Sequence, residues 1–255
     1  MTRFNYCTYF NELPDDFCRR LFLDVEFPWS PLARLHESIT DFFVGRESQN
    51  DCKAHRNISY REDASCLEGS YHILETEILK NDFVDPELAV FIGTGTLLES
   101  GTMVKNHTII SNHCEIRQGA YLRGDIYVGA HSVVGHATEI KNSILMKHVE
   151  AGHFTYIGDS IVGSYVNFGA GTKISNLQFR TLEDKQKEHF PEIPVFYGNK
   201  KMASGLSKFG AIVGDGCETG CNSVLCPFVI LEPECWIMPN FCVLKGNYKR
   251  GTFLR

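Results

Sequence analysis

Two cations and one imidazole are the first candidates for chemistry in this chain of 255 residues. Arg123 and Lys141 are 18 residues apart. If the fold sets them side by side, their repulsion is tolerable only with an anion between them. His153 carries a group whose ordinary pKa lies near neutrality, which suits it to accept or release a proton. A lone histidine is otherwise an unremarkable surface or core residue, so its surroundings decide its worth. The cysteines offer less. Ten are present, yet no Cys-x-x-Cys pair occurs, and Cys217, Cys221 and Cys226 are too unevenly spaced for a zinc site.

Residues 18 apart become neighbours only on a repeating scaffold, and the sequence carries one. Every sixth residue from Ile92 is aliphatic: Leu98, Val104, Ile110, Ile116, Leu122, Val128, Val134 and Ile140. Four places after most of these stands a small or β-branched residue, namely Thr96, Thr102, Thr108, Cys114, Ala120, Ser132 and Thr138. A helix repeats near 3.6 and a half-buried strand near 2, so neither explains a strict six. Such a period predicts a β-helix, with one brief strand and one corner per hexapeptide. Three hexads close a triangular coil, so Arg123 and Lys141 stack at about the 4.8 Å spacing of neighbouring strands. Cys114, Cys217 and Cys235 take the small inward position, where a thiol packs as a small hydrophobe.

After Ile140 the aliphatic set runs on as Leu145, Ala151, Ile157, Val162, Phe168 and Ile174. The steps 140 to 145 and 157 to 162 are five residues, and a shortened corner re-aims the side chains beside it, as a bulge does. His153 is read as standing beside such a corner. The period resumes at Val213, Thr219, Leu225, Leu231, Ile237 and Val243.

These patterns divide the chain into four parts. Residues 1–57 form a helical N-terminal segment and linker. Ser30 and Pro31 open a helix there, Leu32, Leu35, Ile39 and Phe42 recur at helical spacing, and Gly45 ends it. Phe22, Phe27 and Trp29 are expected to pack this segment onto the β-helix end or a partner subunit. Residues 58–174 are β-helix coils with the candidate site, beginning as irregular strands up to 91. Residues 175–211 form an inserted loop, either solvated or covering a substrate. Residues 212–255 are C-terminal coils and a small basic tail. A net charge of −6 argues against nucleic-acid binding. No basic-then-apolar leader and no membrane-length apolar run occurs, so no membrane association is expected and a cytoplasmic location is the default.

Within the coils stand Thr138-Glu139-Ile140-Lys141-Asn142, Ala151-Gly152-His153-Phe154-Thr155-Tyr156-Ile157-Gly158-Asp159 and Val166-Asn167-Phe168-Gly169-Ala170-Gly171-Thr172. These runs resemble the acetyltransferase domain of the bifunctional N-acetylglucosamine-1-phosphate uridylyltransferase/glucosamine-1-phosphate acetyltransferases. The later run Lys208 to Gly216 with Glu218-Thr219-Gly220 resembles the archaeal-type sugar-1-phosphate nucleotidylyltransferase/acetyltransferases. The similarity covers roughly residues 70–250 and is most specific over 121–176. No Gly-rich nucleotidyltransferase loop occurs, so the chain looks like the acyltransferase half standing alone.

The resemblance implies an all-β fold, a left-handed parallel β-helix of hexapeptide repeats with a short α-helical N-terminal segment, assembled as a homotrimer. It implies acetyl-CoA as co-substrate in the groove between neighbouring β-helices, an amino-sugar phosphate such as glucosamine-1-phosphate as acceptor, a place in UDP-N-acetylglucosamine biosynthesis, and no metal. His153 is then the base that takes the amine proton, with Glu139 orienting it or binding a sugar hydroxyl. Arg123 and Lys141 grip the phosphate, Tyr156 adds a hydroxyl, and Asn167 and Asn176 are acceptor-side amides. Ala170 offers a backbone donor to the thioester carbonyl. On the CoA side the chain places Cys221, Met238 and Pro239 where the family has small residues, and Leu177 where it has an aromatic.

Two other readings stand beside this one. A trimer that binds a sugar phosphate without turnover would explain the bulky CoA-side corners. A zinc enzyme like the gamma-class carbonic anhydrases is suggested by Leu122-Arg123-Gly124-Asp125 and by His131 and His136 five apart, but the Gln-Asp pair and third histidine of that class are absent. A nucleotide sugar would serve Arg123 and Lys141 as well as a sugar phosphate does.

Overall fold

A computed structural model describes residues 6–47, 55–62, 69–197 and 200–255. Three sheets of nine strands each run its length and meet along three edges, making the triangular β-helix that the period predicts. Face one contains Tyr121–Leu122, Glu139–Lys141, Tyr156–Gly158 and Lys173–Ile174. Face two contains Ile126–Val128, Ser143–Leu145, Ile161–Val162, Ala211–Val213 and Val229–Leu231. Face three contains Val133–His136, Glu150–His153, Asn167–Phe168, Glu218–Thr219 and Trp236–Ile237. The fold is the all-β, left-handed parallel β-helix expected from the resemblance.

The periodic aliphatics explain why the coils close. From Ile92 to Ile140 every one is fully buried, and Val213, Leu225, Leu231 and Val243 are equally dry. The small partners lie inside as well, and their hydroxyls bond the carbonyls of the next coil. Thr102 Oγ1 donates to Arg117 O at 3.0 Å, Ser132 Oγ to Met146 O at 3.1 Å and Thr138 Oγ1 to Ala151 O at 3.0 Å. A buried hydroxyl without such a bond would cost about 1–3 kcal/mol. Cys114, Cys217 and Cys235 sit in this column as buried free thiols.

The register counts the corners. Tyr121 pairs with Glu139, 18 residues on, but Glu139 pairs with Tyr156 and Tyr156 with Lys173, 17 residues on. The shortened corners lie where face one turns into face two, at 141–143 and 158–160. His153 is not beside them. It ends its strand on face three, across face one from the short corners, and its own step from Ala151 to Ile157 keeps the full six. At the N-terminal end Ile58–Glu62 and Gly69–Ile73 lie antiparallel to one another, and the latter pairs antiparallel with Met103–Lys105.

Face two is buried on both sides. Its outward residues Ile109, Tyr127, Ile144, Ile161, Ile212 and Ile230 pack against the N-terminal segment, which contributes Phe10, Phe17, Leu21, Trp29, Leu35 and Ile39. That segment holds α1 (Asp16–Leu21) and α2 (Ser30–Phe43). Asp15 caps α1 through the Cys18 N–H at 2.9 Å and accepts the Tyr127 hydroxyl at 2.5 Å, joining helix to sheet. The segment therefore covers a flank of the β-helix and not its end. Of the expected linker at 46–57, residues 48–54 lie outside the described residues.

The insertion leaves after Asn176, at the corner between faces one and two, and rejoins at Ala211. It contains α3 (Leu182–Gln186), started by a Thr181–Asp184 capping box, and a hairpin of Pro194–Tyr197 with Lys200–Ala203. Ile193, Val195 and Phe209 are buried with the N-terminal helices, and Trp29 Nε1 donates to Ser204 O at 3.0 Å. Its hairpin and return stretch are thus joined to the N-terminal layer, whereas α3 buries no residue.

Candidate functional site

The expected acceptor residues, Asn167 excepted, gather on the outer surface of face one and its edge with face two. Their strands alternate inward aliphatics (Leu122, Ile140, Ile157, Ile174) with outward polar groups, so Arg123, Glu139, Lys141, Tyr156 and Lys173 share one surface. Arg123 and Glu139 are in contact, Nη1 to Oε1 at 2.6 Å, with both side chains about two-fifths exposed. This ion pair holds the guanidinium above its already high pKa, through the hydrogen bond to Glu139. Lys141, next in register after Ile140, has no carboxylate partner among the described residues. In the absence of a ligand the carboxylate beside Arg123 is Glu139, and Lys141 stands outside that pair.

Tyr156 lies across the space left by Gly158. A Cβ on Gly158 would stand 2.6 Å from the Tyr156 hydroxyl and 2.8 Å from Asn176 Nδ2. Burial first, then the charges of Asp159 and Glu139, raise the Tyr156 pKa, so at neutral pH the phenol is a donor. Asn176 donates through Nδ2 to Asp159 Oδ2 at 2.5 Å, and Asn142 Nδ2 donates to Asp159 Oδ1 at 2.7 Å. Asp159 is 4% exposed and in the left-handed region, φ +49°. It is the hub of this edge, a role that no motif in the sequence announces. The signal lies in its position, since it occupies the second shortened corner, as Asn142 does the first.

His153 and the expected CoA-side residues line the other edge, where face three turns into face one. The chain of bonds Phe154 N to His136 O, Gly171 N to His153 O, Asn222 N to Ala170 O and Asn240 N to Cys221 O stacks these corners one coil apart. His136, His153, Ala170 and Cys221 thus form one column. His153 is exposed, and its ring makes no hydrogen bond among the described residues; Phe154 approaches it at 6.4 Å between centroids. Glu139 bonds Arg123 and not His153. The Ala170 N–H meets no acceptor among the described residues, which leaves a donor at this edge. Cys221 is exposed and Met238 is 44% exposed, so both present their side chains outward. Asn167 projects from face three between Glu150 and Glu218 in register, two residues before the same edge. Leu177 is 40% exposed beside Asn176.

The structure therefore brings Arg123, Glu139, Tyr156 and Asn176 together, and His153, Ala170 and Cys221 together, as two groups on opposite margins of face one. His131 and His136 flank opposite ends of the strand Val133–His136, so one chain does not aim both at one ion. No helix among the described residues is long and apolar enough to cross a membrane.

Residues 104–190, which span most of both groups, match the model of the GMPPB C-terminal domain. The bifunctional protein GlmU of Methanocaldococcus jannaschii is 32% identical over 124 residues, 49% of this chain and 28% of that protein. The bifunctional sugar-1-phosphate nucleotidylyltransferase/acetyltransferase of Sulfurisphaera tokodaii is 31% identical over 122 residues, 48% of this chain and 28% of that protein. The bifunctional protein GlmU of Methanococcus aeolicus is 29% identical over 122 residues, covering 48% and 27%. The similarity thus reaches about half of this chain and under a third of each relative. Repeat, fold and these matches agree in one conclusion: the chain carries a hexapeptide-repeat β-helix related to the GMPPB C-terminal domain and to the sugar-1-phosphate nucleotidylyltransferase/acetyltransferases.

Proposed function

We propose that this chain is an acyltransferase that moves an acetyl group from acetyl-CoA to the amine of an amino-sugar phosphate resembling glucosamine-1-phosphate. The observation that carries this reading is the pairing of two chemistries on one face. A cationic, hydroxyl- and amide-bearing margin suits a sugar phosphate, and a margin with an exposed imidazole and an unspent backbone N–H suits thioester attack. The amine nitrogen would bond the thioester carbon, His153 would take the amine proton, and the Ala170 N–H would meet the oxyanion. Collapse of the intermediate breaks the C–S bond, and the proton leaves with the CoA thiol. The acceptor phosphate would displace Glu139 from Arg123 and add Lys141 as a second cation, freeing the carboxylate for a sugar hydroxyl.

Both margins are open in a single chain, and face two is already covered, which supports a homotrimer that closes the groove with a neighbouring β-helix. The exposed Cys221 and Met238 favour a second reading, a sugar-phosphate binder that no longer holds CoA. Thiol release from acetyl-CoA with glucosamine-1-phosphate separates the two. Turnover that falls about 100-fold or more in His153→Ala, with the assembly intact, supports the transferase. Absence of turnover by wild type together with absence of CoA binding by calorimetry refutes it.

A further inference from the structure

At the edge that carries the acceptor margin, but starting one coil before Arg123 and reaching out to α2, three side chains able to bind a metal converge from three separate elements. His36 comes from α2, on the border of the stripe Leu32, Leu35, Ile39 that buries against face two. His107 and Asp125 come from consecutive coils at the edge between faces one and two, where Ile126 N donates to His107 O at 3.0 Å. Both corner residues take left-handed backbone, φ +50° and +53°, so the coil fixes where their side chains start. One ligand atom from each of the three lies within 4.8 Å of the others. His36 Nδ1 is 2.6 Å from Asp125 Oδ1, and the His36 and His107 rings lie 4.1 Å apart with their planes 26° open.

We propose that His36, His107 and Asp125 form a binding site for a divalent transition metal of the zinc class, fastening the N-terminal helix to the edge of the β-helix. Two imidazoles and one carboxylate are a zinc-type donor set with a fourth position open to water. Metal–ligand bonds of about 2.0–2.1 Å set tetrahedral ligands about 3.4 Å apart, so the His36–Asp125 pair, now 2.6 Å apart, opens by about 0.8 Å, and the His107 atom, within 4.8 Å of both, draws in by at most about 1.4 Å. His36 is exposed, and its ring can turn about the broad χ2 torsion to aim a lone pair inward. No local motif announces the site: His107 and Asp125 are one coil of 18 residues apart, but His36 lies 71 residues before His107 and outside the repeat. This site belongs to the docking of α2 and stands whether or not acyl transfer does.

The test uses the full chain, stripped with a chelator and titrated with Zn²⁺ alone by calorimetry, then with Co²⁺ alone by absorption. We expect one zinc per chain, and a melting temperature raised by about 5 °C or more with zinc at 100 times its Kd. Asp125→Asn and His107→Asn keep residues that tolerate left-handed backbone, and each should weaken binding tenfold or more while far-ultraviolet dichroism is unchanged. His36→Gln, at an exposed position, should do the same. The cobalt spectrum should lack a thiolate charge-transfer band. No stoichiometric binding by wild type overturns the proposal. So does binding that survives all three substitutions, or a thiolate band that disappears on replacing the exposed Cys221 and Cys242.

Discussion

Replacing Asp159 tests the hub that holds the acceptor margin in shape. Asp159→Ala removes the acceptor of two amide donors, Asn142 Nδ2 at 2.7 Å and Asn176 Nδ2 at 2.5 Å. Hydrogen bonds to a charged group are worth about 1.5–3 kcal/mol, and both amides are half-buried and partly rehydrate, so about 1 kcal/mol each is the sum to expect. Alanine in left-handed backbone adds about 1 kcal/mol more, because its Cβ crowds the following carbonyl. The total, about 3 kcal/mol, corresponds to a melting temperature lower by about 6–12 °C for a chain of this size. Asp159→Asn tolerates the same backbone and keeps one carbonyl acceptor, so it should lose only about 1 kcal/mol. A second readout is independent of stability. The Asp159 charge is the next cause after burial of the raised Tyr156 pKa, so Asp159→Asn should lower that pKa toward 10 in a titration of ¹³C-labelled tyrosine. Equal melting temperatures for the Ala and Asn variants, or an unmoved Tyr156, would refute the reasoning.

The remaining expectations concern the covered face and the third edge. Ile144, fully buried between face two and the N-terminal helices, should cost about 2–5 kcal/mol as Ile144→Ala, whereas Ile78→Ala at a 62% exposed site should cost almost nothing; equal urea midpoints would show that the N-terminal layer does not pack as described. Along the edge between faces two and three, His113, His131, His148 and Tyr165 stack in a ladder with centroids 5.4, 4.9 and 4.7 Å apart. Burial first, then His131 and Lys147, hold His148 below its ordinary 6.5. The unfolded chain therefore binds more protons than the folded one between those two values, so this contribution is complete above about pH 6.5 and is lost as pH falls through the folded pKa. His148→Gln should flatten the acid limb of melting temperature against pH, and an unchanged limb between pH 7.5 and 5 would exclude the ladder as its source.

Sequence alone determined the β-helix. Its period is carried by consecutive residues, and each hexad decides locally which side chain turns inward, so Ile92 to Ile140 and Val213 to Val243 could be assigned before any contact was known. It also determined that Arg123 and Lys141 share a face, because a coil of about 18 residues makes neighbours of residues one turn apart. Only the tertiary structure decided the rest. The shortened corners stay where the five-residue steps put them, but only the assembled faces show that they form the edge beside Lys141 and Asp159 while His153 lies on the opposite edge of face one. The meeting of His36 with Asp125 joins residues 89 positions apart, and the covering of face two joins Asp15 to Tyr127 across 112. Asn11 N donates to Asp215 Oδ2 across 204. Contacts of that reach leave no local periodicity, because they arise from two independently formed surfaces that fit, and no spacing within either surface records the other.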